Sequence, residues 1–124
     1  MNPVLSFCIP TYNRSSNLRE LLQNIVSQTV FQETDKVEVA IGDNCSSDDT
    51  AAVAQDFQSL YGSKVRYFRN ETNLEDLNFE RVLRAGTGVF LKLLNDRVVV
   101  RNGVIDLLVQ LGEGRAVEKP IFLA

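Results

Sequence analysis

VLSFCIPTYNRSSNLRELLQNIV, residues 4–26, is the stretch on which the fold reading turns. Residues 4–9 form a mostly apolar run that reads as a buried strand, ended by Pro10, which has no N–H to donate to a ladder. Ser16 or Asn17 can then cap a helix. Leu18, Leu21, Leu22, Ile25 and Val26 recur at the three-and-four spacing of one helical stripe. A buried strand followed by a polar turn and an amphipathic helix is half of a βαβ unit.

The same alternation continues outward. Residues 37–41 read as a second strand and 42–49 as a polar loop, with Asp48 or Asp49 capping a helix that carries Val53, Ala54, Phe57 and Leu60 inward. Gly62 is its expected stop. Residues 65–68 read as a third strand. Asn73 is placed to cap a helix with Leu77, Val82 and Ala85 as its buried edge, ended by Gly86. A fourth strand over 89–94 is broken by Asn95-Asp96-Arg97. Asn102 then caps a helix with Ile105, Leu108 and Leu111 inward and Gly112 as its close, and residues 121–124 begin a fifth strand. Strands alternating with helices of about a dozen residues imply an α/β fold, a mostly parallel Rossmann-like sheet with helices on both faces. A sheet that stops on a fresh strand reads as the amino-terminal piece of something longer.

Composition narrows the chemistry. The 124 residues are 44% hydrophobic and 23% charged, with 13 basic and 16 acidic side chains and a formal charge of −3. One folded domain over residues 1–124 is expected, rather than a disordered chain. The acidic balance argues against a nucleic-acid partner. No apolar run approaches the ~20 residues that span a bilayer, and the N-terminus lacks the features of a secretory signal. The default location is the cytoplasm or the cytoplasmic face of a membrane. With no histidine, Ser-His and Cys-His nucleophiles are excluded, and two cysteines cannot make a four-thiolate site. Cys8 reads as a small core residue and Cys45 as a loop residue, both free thiols.

In a parallel sheet, strand C-termini and helix N-termini meet at one edge, where loops enclose a crevice. The most polar loops fall there: 10–16, 42–49, 70–73 and 95–97. The usual nucleotide fingerprints are missing. No G-x-x-x-x-G-K-[ST] is present, Gly86-Thr87-Gly88 precedes a strand and reads as a turn, and Arg69-Asn70 stands where a response regulator needs its aspartate. Within the first loop, Tyr12 could stack on a base, while Asn13 and Arg14 could bond to base or phosphate. The alternative is a plain polar turn. Asp43, directly after the second strand, could accept from a base imide or a ribose hydroxyl. The serines and distal aspartates of Asp43-Asn44-Cys45-Ser46-Ser47-Asp48-Asp49 suit a turn and a helix start. Tyr61, Tyr67 and Phe68 read as core or rim, and the arginines at 66, 69, 81, 84 and 101 as mostly solvated.

Four segments in order carry a resemblance: Ser6-Phe7-Cys8-Ile9-Pro10-Thr11-Tyr12-Asn13-Arg14; Val39-Ala40-Ile41-Gly42-Asp43-Asn44-Cys45-Ser46-Ser47-Asp48; Asn73 and Asn78 through Ala85-Gly86-Thr87-Gly88-Val89-Phe90; and Leu93-Leu94-Asn95-Asp96. Over about residues 4–112 the chain resembles family 2 glycosyltransferases with the GT-A fold. The resemblance implies that residues 1–124 are the nucleotide-diphospho-sugar-binding half of such a domain. Tyr12 would stack on the base, with Pro10 and Thr11 lining its pocket. Asp43 would bond base or ribose, with Asn13 and Asn44 nearby, and Arg14 would reach the diphosphate. The family's acidic pair after the fourth strand contacts the ribose and holds a divalent metal, Mg²⁺ or Mn²⁺. Asp96 falls on its first acid and is the implied metal residue, but Arg97 stands where the second is expected. Either Asp96 holds the metal with help from donor phosphates and water, or Arg97 itself neutralises the diphosphate; the plain alternative is that Arg97 points to solvent.

The implied reaction is inverting transfer of a sugar to an acceptor hydroxyl, glycan or lipid-linked, in polysaccharide or glycan biosynthesis. The general base would lie in an acceptor-binding half, so these residues alone are expected to bind donor without completing transfer. Membrane association would belong to the full-length protein only. The alternatives are a non-catalytic nucleotide-binding or interaction module of the same fold, and an unrelated doubly wound domain.

Overall fold

The computed structural model describes residues 3–114 and 121–123. Five strands, β1 (Leu5–Thr11), β2 (Val37–Asp43), β3 (Val65–Arg69), β4 (Phe90–Leu93) and β5 (Ile121–Leu123), form one sheet. Its order is β3-β2-β1-β4-β5, and every pairing is parallel. The helices are α1 (Ser15–Val26), α2 (Thr29–Glu33), α3 (Thr50–Tyr61), α4 (Leu77–Ala85) and α5 (Val104–Glu113). The chain winds outward from β1 through β2 to β3, then returns to the far side of β1 to place β4. The order therefore reverses between β1 and β4, the position where open α/β sheets bind ligands.

Strand alternation divides the core. Leu5, Phe7 and Ile9 of β1, Val37, Val39 and Ile41 of β2 and Val65 of β3 pack with Leu18, Leu21, Leu22 and Ile25 of α1, Val53, Ala54 and Phe57 of α3, and Ile105 and Val109 of α5. Cys8, Ala40 and Leu91 face the other way, onto Val82 of α4. Helices thus cover both faces, but the α4 face is narrower and more polar. On it Glu38 is buried and accepts at Oε2 from Ser6 Oγ (2.5 Å), Thr87 N–H (2.7 Å) and Thr87 Oγ1 (2.9 Å), and at Oε1 from Arg66 Nε (3.1 Å). Gly86-Thr87-Gly88 is therefore an anchor between α4 and β4. A Cβ on Gly88 would stand 2.9 Å from the Val4 carbonyl oxygen, so only glycine fits. The Cys8 thiol is pushed up to about 12 by burial, with Glu38 adding to it. Such a thiol is inert at neutral pH.

Several expectations are corrected. Pro10 does not end β1: the strand runs on to Thr11. Cys8 bonds toward β4, accepting from Leu94 N–H (2.9 Å), and Pro10 shares that side of the strand. β4 pairs with β1 only as far as Cys8, so the missing N–H of Pro10 falls where no partner strand runs. Leu60, Leu77 and Leu111 are exposed, and Val109 takes the buried place expected of Leu111. Asn73 does not cap α4, which begins at Leu77; its Oδ1 instead accepts from Glu75 N–H (2.7 Å) in a turn. Gly112 lies inside α5, which Gly103 precedes at φ +90°, a left-handed conformation that suits glycine. The short helix α2 was not expected. The β5 backbone is present over Ile121–Leu123, and Ala124 lies outside the described residues.

Candidate nucleotide site at the sheet's switch point

A cavity of about 250 Å³ opens beyond the C-terminal ends of β1 and β2. The chain leaving β1 lines it with Pro10, Thr11, Tyr12 and Arg14, and the residue after β2 lines it with Asn44. Asn73, Glu75, Asn78 and Phe79 close the opposite wall. Tyr12 is 45% exposed, leaving its ring open to a flat ligand.

Asp96 reaches this wall from the loop after β4. Its Oδ2 accepts from Thr11 Oγ1 at 2.9 Å, and its Oδ1 pairs with Arg14 Nη1 at 3.1 Å. The bonds join residues 85 and 82 positions apart, across the point where the strand order reverses. The Asp96 carboxylate is almost wholly buried, whereas the Arg14 side chain is 40% exposed. A half-exposed guanidinium held at one end by a buried carboxylate presents an oriented set of N–H donors. That arrangement suits an oxyanion, phosphate above all.

Asn13 does not line the cavity. It sits at φ +50°, donates its N–H to Ser46 Oγ (2.9 Å), and accepts at Oδ1 from Ser47 N–H (2.7 Å). It ties the loop after β1 to the loop after β2. Asp43 is fully buried, and its carboxylate is directed to protein groups: Oδ1 accepts from Ser46 N–H (2.9 Å) and Oδ2 from the Tyr67 hydroxyl (2.6 Å). Burial, then the bond and charge of Asp43, raise the Tyr67 pKa, so the phenol stays a donor. Arg97 is exposed and is not among the residues lining the cavity; its N–H is bonded to Asn95 Oδ1 (2.9 Å). Of the residues singled out in the sequence, the structure gathers Pro10, Thr11, Tyr12, Arg14, Asn44 and Asp96, and sets Asn13 and Asp43 beneath as supports.

Of the far wall, the sequence places the 70–73 loop at this edge but does not point to Glu75, Asn78 or Phe79 as site residues. Asn44 Nδ2 donates to Asn73 Oδ1 (2.7 Å), and Asn44 Oδ1 accepts from Leu74 N–H (2.6 Å) and Asn70 Nδ2 (3.1 Å). Asn70 also donates to Asn78 Oδ1 (2.8 Å), and Asn78 Nδ2 to the Gly42 carbonyl (2.9 Å). These interlocked amides fix the turn on which Glu75 stands at φ +52°. The crowding of asparagines at 70, 73 and 78 was the available signal.

Asp48 clamps the start of α1 and α3. Its Oδ2 accepts from Ser15 N–H (3.2 Å) and its Oδ1 from Thr50 N–H (3.0 Å). The slight burial of the side chain pushes its pKa up, but the bonds from Thr50 and Ser15 outweigh this and hold it below the ordinary 3.8. A depressed folded-state value stabilises the fold above the ordinary pKa, and that contribution is lost as pH falls through the folded value. Asp48→Asn should therefore flatten the acid limb of a stability–pH curve. An acid limb identical to that of the parent protein would show that these bonds contribute nothing.

The sequence model of Glycosyl transferase family 2 matches residues 6–104. The chain belongs to glycosyl transferase family 2. Among similar proteins, the abequosyltransferase RfbV of Salmonella typhimurium is 42% identical over 77 residues, 61% of this chain and 22% of that protein. The GalNAc(5)-diNAcBac-PP-undecaprenol beta-1,3-glucosyltransferase of Campylobacter jejuni is 30% identical over 110 residues, 87% of this chain and 34% of that protein. The fold matches S. aureus TarS with a TM-score of 0.76 at 20% identity, covering 90% of this chain and 32% of that one. It also matches the mannosyltransferase PcManGT of Pyrobaculum calidifontis, solved with GDP-Man and Mn²⁺, with a TM-score of 0.68 at 21% identity over 90% and 32% of the two chains. The chain thus has the family's GT-A fold and spans about a third or less of the length of these relatives.

The family's divalent cation can be tested against the side chains of this member. Both Asp96 oxygens are already bonded, one of them to a guanidinium, and the next residue is Arg97. Among the described residues no group of three or more His, Cys, Asp or Glu side chains is placed to hold a metal ion. Mg²⁺ and Mn²⁺ prefer several free oxygen ligands. Asp96 as arranged here does not fit that requirement.

Proposed function

We propose that residues 1–124 form the donor half of an inverting glycosyltransferase that takes a nucleotide-diphospho-sugar and serves polysaccharide or glycan assembly. The observation that carries the reading is the pair of bonds from Asp96 to Thr11 and Arg14, which draws the two halves of the sheet together beside the open ring of Tyr12. In this reading the Tyr12 ring stacks on the base, Pro10 and Asn44 bound its slot, and Arg14 bonds the diphosphate. The acceptor hydroxyl attacks the anomeric carbon from the side opposite the leaving nucleoside diphosphate. Its oxygen forms the new glycosidic bond as the bond to phosphate breaks, and its proton passes to a general base. That base is expected in an acceptor-binding half, in keeping with the 22–34% of the curated relatives' length that this chain matches.

The names of similar proteins support the substrate class. TarS has been solved with UDP-GlcNAc, and the C. jejuni relative is named for an undecaprenol-linked acceptor. A glycan or lipid-linked acceptor at the cytoplasmic face of a membrane follows as part of the proposal. Among the described residues no helix is long and apolar enough to cross a membrane.

Calorimetric titration of the protein with UDP, GDP, CDP and ADP tests the reading. At least one should bind, and Tyr12→Ala should weaken it about tenfold, since stacking a base on an aromatic ring contributes about 1–3 kcal/mol. Failure of all four to bind, or equal affinity in the Tyr12 variant, would remove the basis for the assignment.

A further inference from the structure

We infer that this site neutralises the diphosphate of its donor with two guanidinium groups, Arg14 and Arg97, in place of a divalent cation. The inference rests on the donor-site reading above and deepens it. Arg14 lines the cavity and uses Nη1 on Asp96, leaving the remainder of a half-exposed five-donor fork for a ligand. Arg97 follows Asp96 directly, is exposed, and makes no ion pair among the described residues. Its N–H is bonded to Asn95 Oδ1, which fixes the point where the side chain leaves the loop, directly after Asp96. Asp96 has a different role. With one oxygen on Thr11 and the other on Arg14, its carboxylate aims a cation rather than offering itself to a metal.

Charge supports the same conclusion. Arg14, Asp96 and Arg97 together carry +1 − 1 + 1 = +1. An aspartate at position 97 would make that sum −1, and one divalent cation would be needed to bring it back to +1. Relative to an aspartate, arginine at this position raises the sum by +2, the charge of one such ion, in the planar fork that pairs with phosphate oxygens. A cation beside Arg14 and Arg97 would meet repulsion that Asp96, already bonded to Arg14, offsets only in part; the other carboxylate at the cavity, Glu75, stands on the opposite wall.

The test is titration with the tightest-binding of UDP, GDP, CDP and ADP, in EDTA and in Mn²⁺, for the parent protein, Arg97→Gln and Arg97→Asp. Both substitutions are at an exposed side chain, and unchanged melting temperatures check that the fold is kept. The parent protein should bind within about twofold of the same affinity in both buffers. Arg97→Gln should bind the diphosphate about tenfold more weakly in EDTA while its affinity for the unphosphorylated nucleoside is unchanged. Arg97→Asp should bind more weakly still in EDTA and recover in Mn²⁺. Parent binding that vanishes in EDTA and returns with Mn²⁺ would overturn the inference and leave the donor site standing. Equal affinity of the parent and Arg97→Gln in EDTA would also overturn it. Absence of binding in both buffers would overturn the donor-site reading itself.

Discussion

Asp43→Ala is expected to lower stability by about 2–4 kcal/mol, the cost of leaving buried donors without an acceptor. The substitution removes the partner of two groups at once, the Ser46 N–H and the Tyr67 hydroxyl. For a chain of this size that is a fall in Tm on the order of 10 °C. Asp43→Asn keeps one good acceptor and should lose less. The raised pKa of Tyr67 gives the effect a pH signature. The neutral phenol stabilises the fold fully below its ordinary value of 10.0, and that contribution declines as pH rises through the higher folded-state value. The alkaline limb should therefore weaken in Asp43→Ala along with the neutral-pH stability. Thermal melts between neutral and alkaline pH measure both. A Tm that does not move, together with a large loss of nucleotide affinity, would place Asp43 in direct contact with the ligand.

Asp96→Ala is expected to weaken nucleoside diphosphate binding about tenfold and to lower stability by about 1–3 kcal/mol. The stability term comes from Thr11, whose side chain is buried and loses its acceptor. The affinity term comes from Arg14. Its guanidinium, released from the carboxylate, must be ordered when ligand binds, which costs about 0.5–1.5 kcal/mol for a side chain of this kind. Misplacement of Thr11 in the cavity wall adds to that. Asp96→Asn retains an acceptor for Thr11 and should fall between. Titration and melting of the three proteins separate the two contributions. Unaltered affinity in Asp96→Ala would mean that the ion pair orients nothing a ligand uses.

The sheet is readable because its inner strands are buried on both sides, so residues 4–9 and 37–41 appear as mostly apolar runs broken only by Ser6 and Glu38, while the half-buried edge run 65–68 carries Arg66. The strand ends were less readable. β1 and β2 continue into Pro10-Thr11 and Gly42-Asp43, where composition says turn but the neighbouring strand still supplies partners. Exposed leucines at 60, 77 and 111 show the converse, since helical spacing alone does not say how wide the covered stripe is. Asp43 was read as facing a ligand because it follows an apolar run at the functional edge. Its direction depends on pleat and register: Ile41 pairs with Tyr67, two residues before Arg69 pairs with Asp43, so the phenol lies within reach of the carboxylate.

Residue identity alone determined the βα alternation, the edge at which polar loops collect, and the chemistry available there: one aromatic ring, arginines, amides and carboxylates without histidine. Those are local properties, carried by spacing and side-chain type. The tertiary structure decided which of these groups became wall and which became support. It set Asp96 against Thr11 and Arg14, buried Asp43 under Ser46 and Tyr67, and brought Asn73, Glu75, Asn78 and Phe79 across the cavity. Apart from the local Asp43–Ser46 turn, those choices depend on contacts between residues 24 to 85 positions apart, fixed by sheet order and strand register, which no local pattern encodes.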